Sequence, residues 1–358
     1  MKIALYSDLH AHPYNNGTIL EHGTNSRVQD AVDVIAQVYA FAIENDISSV
    51  VFGGDLFDRR KSIDVDTYNK IHEVIQYWSA RMPTLMIPGN HDQANKSGTV
   101  HALQRFNSKN CVVPDKPSWT QMEDNVHLFS VPYCDDGEVI AQQIEEGLAD
   151  KNEEGERHLL LIHYGIEGAR VGPSDYVLPC ELKLPMLHLD EWDMVFSGHY
   201  HIGQQLGSKF HYIGSAMQHR WDDVGFGKSF VVYDSSTNSI ERIPTVAPEF
   251  LEIRDKTKNH DVKNCFVRII REYEISPDKK PKIESNLKER GALSVEFRYE
   301  PEEADTEPSE RIVFSESGGK YQILDDYVAS DLVDTSKYDL DRLLKIGKKI
   351  LSQAMDEV

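Results

Sequence analysis

Five short stretches of this chain carry side chains that could do chemistry together. "SDLH" supplies Asp8 and His10, "GGDLFD" supplies Asp55 and Asp58, and "PGNHD" supplies Asn90, His91 and Asp92. "LIHYG" adds His163, and "SGHYH" adds His199 and His201. The donors are carboxylates, imidazoles and one carboxamide, with no thiolate. Such a set suits Mn, Fe or Zn in a reactive centre, not a structural cysteine-zinc site. A carboxylate can bridge two cations. Two divalent ions about 3.5–4 Å apart suit in-line displacement at phosphorus, because they generate the nucleophile and offset charge on the phosphoryl oxygens.

Each stretch sits at the end of a short apolar run. "KIALYS", "SSVVFGG", "TLMIPG", "VHLFSVPY", "HLLLIHYG", "DMVFSG", "FHYIGS" and "KSFVVYD" all read as strands, most of them bounded by Gly, Pro, Asp or Asn. Val28 to Ile43 and Tyr68 to Trp78 carry apolar residues at helical spacing. Strands alternating with helices early, then strands more closely spaced, predict a mixed α/β domain over 1–245. In such a sheet the carboxyl ends of parallel strands share one edge, so the five stretches could converge on one cleft.

The rest of the chain divides in three. "TVAPEFLEI" (245–253) reads as a crossover into a small α+β module over 246–300. There "NCFVRIIREY" and "LSVEFRYE" are strands, and "KIESNLKERG" is a helix ended by Gly291. The acidic, proline-containing 301–320 is a linker. Helical segments fill 321–358, where Leu340, Leu343, Leu344, Ile350 and Leu351 form an apolar stripe interrupted by Gly347. Following a polar linker, that stripe is expected to lie in a partner's groove.

Taken in order, D-x-H, G-D-x-x-D, G-N-H-D, H and G-H-x-H resemble the calcineurin-like metallophosphoesterase superfamily. That resemblance implies a β-sandwich flanked by helices and two divalent ions. Mn2+ is foremost, with Mg2+, Fe2+ or Zn2+ as alternatives. It assigns Asp8, His10, Asp55 and His201 to one ion and Asp55, Asn90, His163 and His199 to the other. His91 would protonate the leaving oxygen, and Asp92 would orient His91 or its loop.

Order and spacing beyond the motifs are similar to SbcD-type nuclease subunits, including phage versions. These are DNA repair and recombination nucleases, exonucleases and endonucleases, that partner an SMC-like ATPase. The likeness implies a capping, DNA-positioning role for 246–300, partner binding by the C-terminal stripe, double-stranded DNA ends as substrate and a homodimer. Some relatives have a histidine where Asp58 stands; here Asp58 is read as holding its own loop. Arg59, Arg60 and Lys61 are read as phosphate contacts, since guanidinium groups grip phosphate well. A small-molecule phosphodiesterase or phosphatase, and a scaffold without chemistry, are the alternatives. His12, His101 and His219 belong to no motif, although His12 could line the cleft; His211 reads as structural.

Bulk properties limit these readings. The chain has 358 residues and a formal net charge of -21, from 59 acidic against 38 basic residues. DNA binding by overall charge is therefore excluded, and any nucleic acid must be held by local basic groups, a dimer or a partner. Four cysteines without a CxxC pair read as reduced thiols. With no signal-peptide pattern and no membrane-length apolar run, the expected setting is a bacterial or phage-infected host cytoplasm.

Overall fold

Alternation along the first strand explains the layers. In β1 (Lys2–Tyr6), Ile3 and Leu5 belong to one buried cluster, while Ala4 and Tyr6 belong to another on the opposite face. Successive side chains of a strand point to opposite faces, so a strand apolar on both must be covered on both.

The computed structural model describes residues 1–300 except 96–97, 124, 152–155, 173–181 and 255–259, together with 342 and 344–348. Met1–Glu300 forms one compact unit and Pro301–Val358 a second.

In the first unit, β1 lies parallel to β2 (Ser49–Phe52), which continues to β3 (Thr84–Met86) and β4 (Cys111–Val112). On the other side of β1 run β11 (Ser229–Asp234) and β12 (Ser239–Pro244), completing a six-stranded sheet. The second six-stranded sheet has the order β5 (Ser118–Glu123), β6 (Val126–Val131), β7 (Arg157–His163), β8 (Met194–Gly198), β10 (Phe210–Tyr212) and β9 (Gln204–Leu206). Ile3, Leu5, Val51 and Leu85 from the first sheet meet Leu128, Leu159, Leu161 and Phe196 from the second in the central core. Helices α1 (Ser26–Glu44) and α2 (Val65–Ser79) cover the outer face of the first sheet, and α3 (Gly137–Ala149) that of the second. The fold is thus mixed α/β, two large sheets face to face and flanked by helices.

The eight apolar runs all form strands. Two expectations need correction. "TVAPEFLEI" is more than a crossover: Glu249–Ile253 is β13, an edge strand of a third sheet. It pairs in parallel with β14 (Cys265–Arg271), which pairs with β15 (Ser294–Tyr299). Gly347 does not break its helix, since 344–348 is helical throughout.

The third sheet packs on α4 (Lys280–Glu289) through Ile253, Val267, Ile269 and Leu287. Gly291, at φ +97°, takes the left-handed position after that helix, as expected of a terminating glycine. Of the C-terminal stripe, Leu344 is described and is half-buried; Leu340, Leu343, Ile350 and Leu351 lie outside the described residues. No helix among the described residues is long and apolar enough to cross a membrane. Cys111, Cys134 and Cys265 are free thiols.

Candidate metal centre

All five stretches emerge where parallel strands end. Asp8 and His10 follow β1, Asp55 follows β2, and Asn90 and His91 follow β3. His163 closes β7, and His199 and His201 follow β8. The two sheets approach one another at this edge: Ser7 bridges to Ser215, and a side chain on Gly198 would strike Ser7, Gly53 and His163. A Cβ on Gly54 would run into the His163 ring, and one on Gly89 into Asp55. Glycine is required here because each loop presses against residues of its neighbours, His163 and Asp55 among them.

The backbone is bent to aim those donors. Asp8 (φ +51°), His10 (φ +45°), Asp55 (φ +60°) and His199 (φ +84°) all sit in the left-handed region. Residues other than glycine adopt it rarely and at a cost of about 1–3 kcal/mol each, usually where function requires it. Asp92 holds the second of these turns. Its carboxylate accepts N–H bonds from Asp55 (2.9 Å), Leu56 (2.9 Å), Phe57 (3.2 Å) and Gly89 (3.0 Å). Asp92 was expected to be catalytic through His91 or its loop. Its contacts are with the loop amides, so it positions Asp55 rather than the His91 imidazole.

Three donor groups form. Asp8, His10 and His201 come together, as do His10, Asp55 and His91, and Asp55, His163 and His199, each with ligand atoms within 4.8 Å of one another. Asp55 is common to two of them, with Oδ2 3.7 Å from His10 Nε2 and 3.3 Å from His163 Nε2. Asn90 Oδ1 lies 3.2 Å from His163 Nε2 and 3.0 Å from His199 Nδ1. Turned over, the amide would instead donate to Asp55, His163 and His199 and accept from Arg60 at 3.0 Å. Oxygen-inward is the orientation a cation requires, amide-inward the one a metal-free cluster prefers.

Do these residues fit two divalent ions? His10 and His201 approach Nε2 to Nε2 at 3.1 Å, and the buried Nδ1 of His10 has no hydrogen-bond partner, the Asp58 carboxylate standing 3.7 Å away. His163 gives its Nδ1–H to the Gly53 carbonyl at 2.7 Å, so Nε2 is the nitrogen aimed at Asp55 and Asn90. The proton that Asp55 favours on Nε2 in the metal-free protein stands where a cation would, and the converging carboxylate, carboxamide and imidazole donors fit such a cation.

Electrostatics follow from burial. Burial holds His10 well below its ordinary value and His199 down to about 3. Burial also depresses His163, but the adjacent Asp55 carboxylate outweighs it and lifts the imidazole to about 9. His219 is held well below its ordinary value by burial, and His211 is depressed to about 4 by burial and Arg242. A depressed histidine stays neutral when folded but binds a proton once unfolded, so stability is lost as pH falls through about 6.5. His163 acts oppositely: its contribution is complete below about 6.5 and lost as pH rises through 9. Five depressed histidines, His12 among them, outnumber the groups that act oppositely, His163 and the buried carboxyls of Asp8 and Asp92, both raised by burial, Asp92 to about 7. Metal-free protein should therefore lose stability between pH 7 and pH 5, each group adding a slope approaching about 1.4 kcal/mol per pH unit. Urea denaturation in EDTA checks this, and equal midpoints at the two pH values would contradict it.

His91 is half-buried, its Nδ1 2.5 Å from the Asp58 carbonyl and its backbone N–H 2.8 Å from Asp55 Oδ1. Asp58 thus acts on His91 through its backbone, while its carboxylate stands 3.7 Å from His10 Nδ1. Arg59 and Lys61 are exposed; Arg60 is half-buried and reaches the Asn90 amide. His12 packs edge-on against Tyr14, close to Asp58 and Arg59. His101 is pinned to Asp115 at 2.8 Å, and His211 is buried on β10. His219 is the residue that motif reading missed. Its ring lies 5.1 Å from that of His10 and 5.3 Å from that of His201, and its Nε2–H donates to the Asp8 carbonyl at 2.9 Å. No spacing signals it, because two of its partners, His10 and the Asp8 carbonyl, are about 200 residues away and one of them is backbone.

A family profile described as calcineurin-like phosphoesterase matches residues 1–203, more than half of the chain and every donor stretch. The chain belongs to this family. Calcineurin-like phosphoesterases are hydrolases that use divalent metals, in agreement with the donor groups above. A protein of Invertebrate iridescent virus 3, named phosphoesterase 078R, is 28% identical over 224 residues, covering 60% of this chain and 58% of its own length. The DNA double-strand break repair protein Mre11 of Sulfurisphaera tokodaii is 24% identical over 280 residues, covering 73% of this chain and 68% of its own. Mre11 of Sulfolobus acidocaldarius is 22% identical over 147 residues, covering 41% and 38%. Two of these three relatives are matched over less than two thirds of their length.

Proposed function

We propose that this phosphoesterase is a metal-dependent DNA nuclease, hydrolysing phosphodiester bonds in double-stranded DNA. The observation that carries the reading is the convergence of Asp8, His10, Asp55, Asn90, His163, His199 and His201 from five strand ends, bridged by Asp55. Asp8, His10, Asp55 and His201 would hold one ion, and Asp55, Asn90, His163 and His199 the other. When bound, the ions supply Lewis-acid stabilisation of the phosphoryl oxygens and lower the pKa of water. The chain's own residues do the rest. Gly53 fixes the His163 tautomer by accepting its Nδ1–H, and Asp58 does the same for His91. That leaves His91 Nε2 as the nitrogen that would give a proton to the leaving oxygen from the imidazolium form and end as a lone pair. Arg60, beside Asn90, is placed to take a phosphate oxygen flanking the scissile bond. The 24% identity to a protein named for double-strand break repair favours DNA over a small diester.

The deciding experiment is hydrolysis of linear double-stranded DNA with Mn2+, run beside bis-p-nitrophenyl phosphate. Asp55→Asn should abolish both. Replacing Arg59 and Arg60 together by Ala should weaken DNA cleavage about tenfold or more while sparing the small diester. Wild-type hydrolysis of the small diester with DNA left intact would turn the reading toward a small substrate or an obligatory partner.

A net charge of -21 leaves DNA affinity to local groups and to a second subunit. We propose an SMC-like ATPase for that role, docked on the C-terminal apolar stripe. Deleting 321–358 should abolish co-purification with such an ATPase and leave hydrolysis of the small diester unchanged; continued co-purification would remove the idea.

A further inference from the structure

The segment 218–228 wraps one half of the donor cluster and is gripped from behind by the third sheet. On its inner side, His219 reaches the Asp8 carbonyl, and Asp223, only 3% exposed, stands with Oδ1 3.7 Å from His201 Nδ1. The Asp223 carboxylate is itself fixed. Oδ2 accepts the backbone N–H groups of His219 (2.9 Å) and Arg220 (3.3 Å), and Oδ1 accepts from Lys228 Nζ at 2.6 Å. Lys228 also donates to the His201 carbonyl at 3.2 Å and to Ser215 Oγ at 2.7 Å. Side chain and backbone of His201 are therefore held by one ion pair. At 3.7 Å the carboxylate acts on the imidazole by charge, favouring the tautomer with its proton on Nδ1. That tautomer leaves Nε2 as the lone pair facing His10.

On its outer side the segment meets the module. The Trp221 ring is edge-on to Phe250 of β13 at 4.9 Å and lies under the Arg268 guanidinium of β14 at 3.8 Å. Gln218 Oε1 accepts the Phe250 N–H at 2.6 Å. Buried Arg27 donates to the Gln218 carbonyl and stacks over Phe266, 5.2 Å from its centroid. In the other half of the cluster, the Asn90, His163 and His199 side chains are oriented by Gly53 and by one another, with the His199 backbone N–H given to the Asp8 carboxylate at 3.0 Å and, among the described residues, no contact from Asp223.

We propose that Asp223 is the positioning residue for His201, and that the third sheet, through Trp221 and Arg268, sets how tightly the Asp8–His10–His201 half of the centre binds a divalent ion. This rests on the metal-centre reading above. Carboxylate partners of ligating histidines typically govern about 10–100-fold in metal affinity. The module is then part of the metal site's support.

The test is a Mn2+ titration of the full chain by electron paramagnetic resonance, which counts free ion and yields both affinities without reference to turnover. Wild type should take up two ions. Asp223→Asn should weaken one of them by about 10–100-fold and leave the other unchanged. Trp221→Leu, which loosens the module's grip without touching the carboxylate, should weaken the same ion by a smaller factor. Thermal melting in EDTA shows whether each variant is folded, and if D223N is not, the Trp221→Leu titration decides. Two unchanged affinities would overturn the proposal. So would equal loss of both ions in a folded variant, since that is what a general structural role produces. Wild-type protein that binds no Mn2+ would instead bring down the metal-centre reading itself.

Discussion

His91→Asn should keep two-metal uptake and lower DNA cleavage by about a hundred- to ten-thousand-fold, the range for loss of a general acid. The side chain is removable without dismantling the site. Its contribution to the Asp55 turn is a backbone N–H to Asp55 Oδ1, which any residue supplies. Only the imidazole is lost, with its Nδ1 held by the Asp58 carbonyl. The leaving group gives the diagnostic. DNA leaves an alkoxide that must be protonated, whereas p-nitrophenolate departs unaided. If His91 Nε2 delivers that proton, the loss on DNA should exceed the loss on bis-p-nitrophenyl phosphate by at least about tenfold. Equal losses on both substrates would mean that His91 positions the phosphate or holds an ion instead. The donor group it forms with His10 and Asp55 makes that a real alternative.

What was legible in the sequence was whatever the strand ends dictate. Parallel strands must end at one edge, so Asp8, Asp55, Asn90, His163 and His199 could be brought together before any coordinate was known. Short edge strands were not legible. β5 ("SWTQME"), β9 ("QQL") and β12 ("SIERIP") are half-polar because one face is solvated, so they lack the apolar run that marks β7 or β8. Helix α3 hides its stripe for a different reason. Gly147 takes the place of an apolar residue there because the Phe129 ring occupies the space of its side chain. The supports of the site were hidden most completely. Asp223, Lys228 and His219 act across the fold on backbone carbonyls, amides and one imidazole, and no spacing in the chain encodes such partners. Asp92 shows the same limit at close range. Adjacent to His91, it reads as orienting His91 or its loop. Its oxygens do take the Gly89 amide of that loop, but the other three amides they accept belong to the loop some 35 residues earlier.

That placement makes Asp92 the residue whose loss should do most damage to the folded centre. Asp92 is 1% exposed, and its two oxygens accept from four backbone N–H groups. Three of those amides belong to consecutive residues, Asp55, Leu56 and Phe57, and the first is in the left-handed region. Amides turned inward like this form a nest for an anion, and without the anion the turn has no reason to keep its shape. Asp92→Ala strands buried donors at about 1–3 kcal/mol each. Even with partial relaxation, the variant should be destabilised by about 3 kcal/mol or more in urea denaturation. The consequence for function goes beyond stability. Asp55 is the donor shared between the halves of the centre, so a loosened 55–57 turn should cost both ions at once. Asp92→Asn separates the two effects. It keeps shape and one acceptor but loses charge, so it should fold better than the alanine variant and still bind Mn2+ poorly. Asp55→Asn leaves the turn's hydrogen bonds to Asp92 in place but takes away the charge that lifts buried His163, so in EDTA it should lose stability most at and below neutral pH. Should Asp92→Ala melt like wild type and bind two ions, the 55–57 turn would be held by its own backbone, and the carboxylate would need another explanation.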